Sequence, residues 1–72
     1  MKAYVLINVR AGKTRAVVDN VRPLEGVKSV NACWGRPDVF AFVDAPDLAS
    51  TVMGKIQGIE GVESTDTHIV IE

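Results

Sequence analysis

Leu24-Glu25-Gly26-Val27 returns as Ile59-Glu60-Gly61-Val62, an offset of 35 residues. The same offset lays Val5–Val9 on Phe40–Asp44, apolar on apolar for most of the run, and Gly12-Lys13 on Asp47-Leu48. Self-similarity at a fixed spacing marks a repeated structural unit. Two copies describe a pseudo-symmetric domain, not a solenoid, which needs three or more.

Outward from that repeat, each half reads strand, helix, strand. Ala3 to Val9 is a β-branched and aromatic run ended by Ala11-Gly12. Lys13 to Arg22 carries Val17, Val18 and Val21, with Leu24 following, at helical spacing. Pro23 stops the helix, because its ring lacks an N–H and clashes with the preceding turn. Lys28 to Trp34 alternates Ser29, Asn31 and Cys33 with Val30, Ala32 and Trp34, a strand with one drier side. Buried packing is expected for Cys33 within it, and packing at an interface or against a ligand for Trp34. Gly35-Arg36-Pro37-Asp38 is a turn of hairpin length.

In the second half Val39–Val43 is a strand, and Asp47 is placed to cap the helix that follows. Leu48, Val52 and Ile56 fall four apart along Leu48–Gln57, with Ala49 and Met53 widening the stripe and Met53 assigned to the core. Glu63 to Ile71 is the last strand. Right-handed crossovers and a central hairpin then leave one favoured solution for βαββαβ. It is the split-βαβ, or ferredoxin-like, α+β sandwich: an antiparallel sheet ordered 4-1-3-2 with both helices on one face.

The central strands demand more than two helices. Ala3, Val5, Ile7 and Val9 oppose Tyr4, Leu6 and Asn8; Val39, Ala41 and Val43 oppose Phe40 and Phe42. Near-continuous apolar strands are those covered on both faces. The helices cover one, and the other would expose a larger apolar patch than a soluble monomer usually shows. A second subunit laying its own sheet there, a dimer of the α/β-barrel type, is the expected cover.

Composition agrees. With 72 residues the chain is one small domain, marginal as a lone monomer. Apolar residues at 47% and charged residues at 24% are the balance of a soluble globular protein. One cysteine excludes an internal disulfide and a Cys-ligated zinc cluster and suits a reducing, cytoplasmic setting. No signal peptide or membrane-spanning run is visible, and nothing calls for a cofactor. Residues 1–36 carry seven Lys/Arg and two acids, net +5; residues 37–72 carry Lys55 against seven acids, net −6. The basic residues are scattered, without the clustering of a nucleic-acid surface. The imbalance describes two solvated faces or a head-to-tail contact between subunits. One histidine, one thiol and scattered carboxylates offer no paired acid and base, so an enzyme is not expected.

Four pieces in order resemble the effector-binding (RAM) domain of the Lrp/AsnC transcription regulators. They are Ala3-Tyr4-Val5-Leu6-Ile7-Asn8-Val9, the G-x-x-D turn Gly35–Asp38, Asp47-Leu48 opening the second helix, and Val62-Glu63-Ser64-Thr65-Asp66-Thr67 as V-x-x-T-x-T. The resemblance covers residues 1–72 as a single domain. The DNA-binding module that precedes it in full-length members is not expected here, because the first strand starts near residue 3. What the resemblance implies is a sheet-to-sheet homodimer, dimers joined into rings, and amino acids or related effectors held at subunit interfaces.

An amino acid needs an acceptor for its ammonium, donors for its carboxylate and a pocket for its side chain. In the family's pattern Asp38 would take the ammonium, with Gly35 letting the backbone come close. Thr65, Thr67 and Arg36 would hold the carboxylate. The plainer readings stand beside these: Asp38 bonding local N–H groups, Gly35 as a turn glycine, Arg36 solvated, and Thr65 and Thr67 as strand formers. His68 reads as an edge-strand residue. Pro37, where the family commonly has an aromatic or small residue, removes an N–H from the turn. Two other functions remain open: an ACT-like amino-acid sensor, and a partner that co-assembles with full-length regulators and binds no effector.

Overall fold

The computed structural model describes residues 1–72 except for the side chain of Met53, so the core position expected for it lies outside the described residues. The elements are β1 (Lys2–Val9), α1 (Thr14–Val21), β2 (Val27–Ala32), β3 (Val39–Asp44), α2 (Leu48–Thr51, continued by a π turn over Val52–Ile56) and β4 (Val62–Ile69). The antiparallel sheet runs β2-β3-β1-β4, the expected order read from its other edge. β1 lies at the centre, pairing Ala3 with Val43 and Ile7 with Val39 on one side, and Ile7 with Thr65 on the other.

Alternation along the central strands decides what is buried. Ala3, Val5, Ile7, Val9, Val39, Ala41 and Val43 form one inward face. Val17, Val18 and Val21 of α1 pack on it, as do Leu48, Val52 and Ile56 of α2. Both helices therefore cover the same side of the sheet.

The internal repeat is realised bond for bond. Leu24 N–H donates to Val21 O at 3.1 Å and Val27 N–H to Leu24 O at 3.1 Å. Their counterparts, Ile59 N–H to Ile56 O and Val62 N–H to Ile59 O, are also 3.1 Å. Gly26 and Gly61 turn each helix into its strand at φ +91° and +98°, a region open to glycine. Each glycine carbonyl then accepts from the end of the other half's central strand: Gly26 O from Asp44 N–H and Gly61 O from Arg10 N–H, both 2.8 Å.

Three expectations are corrected. β2 ends at Ala32: Cys33 N–H still donates to Asp38 O at 2.7 Å in the same register, but Asp38 N–H goes to Ile7 O at 3.1 Å and makes no return bond. The strand alternation stops there, so Cys33 and Trp34 are exposed, as is Ala32; of that side only Val30 is buried. The second helix is not uniformly α: Gln57 N–H reaches Val52 O, five residues back, at 2.9 Å. Ala49 faces solvent, not the core.

Asp47 caps α2, its Oδ1 accepting from Ser50 N–H at 3.1 Å. Asp47→Ala is expected to cost about 1 kcal/mol of stability, read as a lower urea midpoint with unchanged slope.

Candidate functional site

The link between β2 and β3 is held by its own polar groups. Gly35 lies at φ +120°, and a Cβ there would meet nothing within 4 Å, so the turn is open to solvent. The Arg36–Pro37 peptide is cis. Asp38 N–H donates to Ile7 O at 3.1 Å, which latches the turn to the end of β1. The Asp38 carboxylate, largely covered, accepts from Val9 N–H through Oδ1 at 3.0 Å. Arg36 closes the cluster. Its Nη1 donates to Val9 O at 3.2 Å and to Asp38 Oδ1 at 3.5 Å, and its Nη2 donates to Glu63 Oε1 at 2.7 Å. The bond to Glu63 raises the guanidinium pKa, partial burial opposes the rise and the charge of Asp38 adds to it. Arg36 thus carries its charge at any physiological pH.

Glu63 has no signal in the sequence beyond its charge, because its partner lies 27 residues away. A bulge between Asn8 and Val9 in the pairing of β1 with β4 lies beside this cluster. There Asn8 Nδ2 donates to Ser64 Oγ at 3.0 Å.

Thr65 and Thr67 stand opposite Ile7 and Val5 and share their side of the sheet. They line an open groove of about 300 Å³ between α2 and β4, with Leu48, Ala49, Val52, Gln57 and Ile69. The π turn ends at Gln57, whose Nε2 donates to Thr65 Oγ1 at 2.8 Å. The site residues read from the sequence thus fall into two groups, Gly35-Arg36-Asp38 at the hairpin and Thr65-Thr67 in the groove. Among the described residues no hydrogen bond joins the two groups within one protomer.

The far face of the sheet is apolar at its centre. Tyr4 and Phe42 stack with ring centroids 5.0 Å apart at 50°, and Leu6 stands opposite Phe40. Tyr4 is 51% exposed and Phe40 38%. Leu6 and Phe42 are half-buried, and no element of this protomer covers them. Asp66 and His68 of β4 flank this face, His68 Nε2 lying 3.1 Å from Asp66 Oδ2.

The Lrp/AsnC ligand binding domain matches residues 2–72. The chain belongs to that family. The match decides against the ACT alternative, and the family it names is one of regulatory domains of transcription factors. A Thermus thermophilus protein, TTHA0845, superposes with this Lrp/AsnC domain at a TM-score of 0.91 and 30% identity, over 99% of this chain and 92% of that one. AsnC of E. coli gives 0.90 at 21% identity, over 99% of this chain and 50% of that one. The Neisseria meningitidis transcriptional regulator NMB0573, in its complex with L-Met, gives 0.83 at 21% identity, over 99% and 49%. The likeness to the last two is one of fold. No curated protein matches the sequence. None of the helices is long and apolar enough to cross a membrane.

Proposed function

We propose that this Lrp/AsnC domain is an effector-binding and oligomerisation module for a free amino acid. It would act in the cytoplasm on transcriptional regulation of amino-acid metabolism. The observation that carries the reading is the uncovered face built by Tyr4, Leu6, Phe40 and Phe42. An apolar patch rimmed by polar residues marks a protein contact, and a second copy of the sheet is its natural cover. The two edges of the sheet favour the same pairing. α1, Arg22 and β2 carry Arg15, Arg22 and Lys28 against Asp19, whereas Asp47, α2 with its π turn, and β4 carry Asp47, Glu63 and Asp66 against Lys55. A two-fold running along the strand direction brings opposite edges together.

The amino-acid part follows from what each group can offer. Asp38 commits Oδ1 to Val9 N–H and Arg36; its second oxygen is the acceptor for an ammonium. Thr65 and Thr67 offer hydroxyl donors for a carboxylate, and Leu48, Val52 and Ile69 offer apolar walls for a side chain. Because the hairpin and groove are separate within a protomer, a complete site draws on two copies. Dimers joined through such sites would form rings.

A thermal-shift series against the twenty amino acids tests this. An effector at 100 times its Kd adds about 2.7 kcal/mol to stability, seen as a higher Tm. Thr67 is exposed, so Thr67→Val should leave the unliganded Tm unchanged and weaken binding by about 0.5–1.5 kcal/mol. A flat response to all twenty at millimolar concentration rejects the effector reading. It would favour the second one, an assembly partner of full-length regulators. That alternative has its own support, since Arg36 is already paired with Glu63 at 2.7 Å.

A further inference from the structure

We infer that Trp34 of one copy of this chain seats in the groove between α2 and β4 of another copy. Trp34 is the only tryptophan, and it stands fully exposed just beyond the end of β2. Tryptophan is strongly enriched among the residues that hold protein partners together. The groove is its chemical counterpart: Leu48, Val52 and Ile69 supply apolar contact, Ala49 adds little bulk, and the Thr65 and Thr67 hydroxyls can accept from an indole N–H. At about 300 Å³ the groove has space for one such ring system.

The chain's own Trp34 does not fill the groove: its ring is fully exposed in the protomer and is not among the residues that line it. β2 and β4 are opposite edges of the sheet, three strand steps or roughly 14 Å apart at about 4.8 Å per step. Charge selects a second copy over an unrelated protein. Trp34 follows β2 on the edge bearing Arg15, Arg22 and Lys28 against Asp19, and the groove lies on the edge bearing Asp47 and Asp66 against Lys55, with Glu63 there already paired to Arg36. Donor and acceptor surfaces are different patches of the same chain, so the contact is heterologous. It uses neither the far sheet face nor the Asp38 cluster, but it occupies the groove that the effector reading gives to the ligand's side chain, so a bound effector must displace Trp34.

The test uses the emission of the single indole together with sedimentation. Ala49 is exposed on α2, so Ala49→Arg fills the groove without disturbing the core. The assembled wild-type protein should show the blue-shifted emission of a buried indole. Ala49→Arg should return it to that of an indole in water. Both Ala49→Arg and Trp34→Ala should weaken association by about thirtyfold or more, the scale of an aromatic hot spot. Mixed together, the two variants should associate with each other, since each supplies the half the other lacks. Water-type emission from the assembled wild type overturns the inference, and so does a buried signal that survives Ala49→Arg or a mixture that fails to associate. An exposed Trp34 in a protein that still dimerises and binds an amino acid would overturn this contact and leave the effector reading in place.

Discussion

Tyr4→Asp combined with Phe40→Asp is expected to convert the protein into monomers, weakening self-association by at least about a thousandfold. Both side chains lie on the far face of the sheet, 51% and 38% exposed, away from the core under the helices. Burying an aromatic of this size between subunits contributes roughly 1.5–3 kcal/mol, and a two-fold contact repeats each loss. A carboxylate brought into that layer would also be desolvated without a partner. Sedimentation equilibrium gives the constant, and far-ultraviolet circular dichroism reports whether the protomer keeps its secondary structure. An unchanged association constant would mean that copies meet elsewhere and that the far face is not the dimer contact.

Gly61→Ala should cost about 2–5 kcal/mol, enough to unfold a domain whose whole stability lies on the scale of 5 kcal/mol or a little more. Two causes add. At φ +98° any residue with a Cβ is strained, by roughly 1–2 kcal/mol. The new Cβ would also fall 2.8 Å from Lys13 Cβ and 3.1 Å from Val17 Cγ2. Lys13 Cβ is fixed to the backbone at the start of α1 and cannot swing aside, so the strand and helix must part, an overpacking cost of about 1–3 kcal/mol. Gly12→Ala is the control: φ is +82°, and nothing lies within 4 Å. It should show the backbone strain alone. Urea denaturation of both variants separates the two causes, and equal losses would show that the helix contact at Gly61 is soft.

Much of this was legible in the residues. Gly26 and Gly61 occupy equivalent places in the repeat, and the structure gives them equivalent conformations. The inward face of β1 and β3 follows from period two, and the buried stripe of α1 from helical spacing. Periodicity misled at the ends of elements. Trp34 continues the alternation of Val30 and Ala32 on paper, but the ladder stops where Asp38 N–H bonds to Ile7 O and not back to β2. In α2, Leu48, Val52 and Ile56 fall four apart, a longer repeat than the 3.6 residues of an α-turn. The wider π turn takes up the difference, and a spacing cannot announce it. Gly35, Arg36 and Asp38 could be singled out from the sequence as candidates, yet Arg36's tie to Glu63 and Thr65's tie to Gln57 could not. Those contacts exist only after the chain has folded back on itself.

The crossed grip of the two glycine carbonyls has a thermodynamic consequence. Gly26 O is held by Asp44, and Gly61 O by Arg10. Each half thereby completes a turn belonging to the other, and β1 lies between β3 and β4 of the opposite half. No autonomous subunit of about 35 residues exists to melt first. Calorimetry should record a single transition with matching van't Hoff and calorimetric enthalpies, and a chain cut within the hairpin should yield two fragments that are each unstructured until mixed.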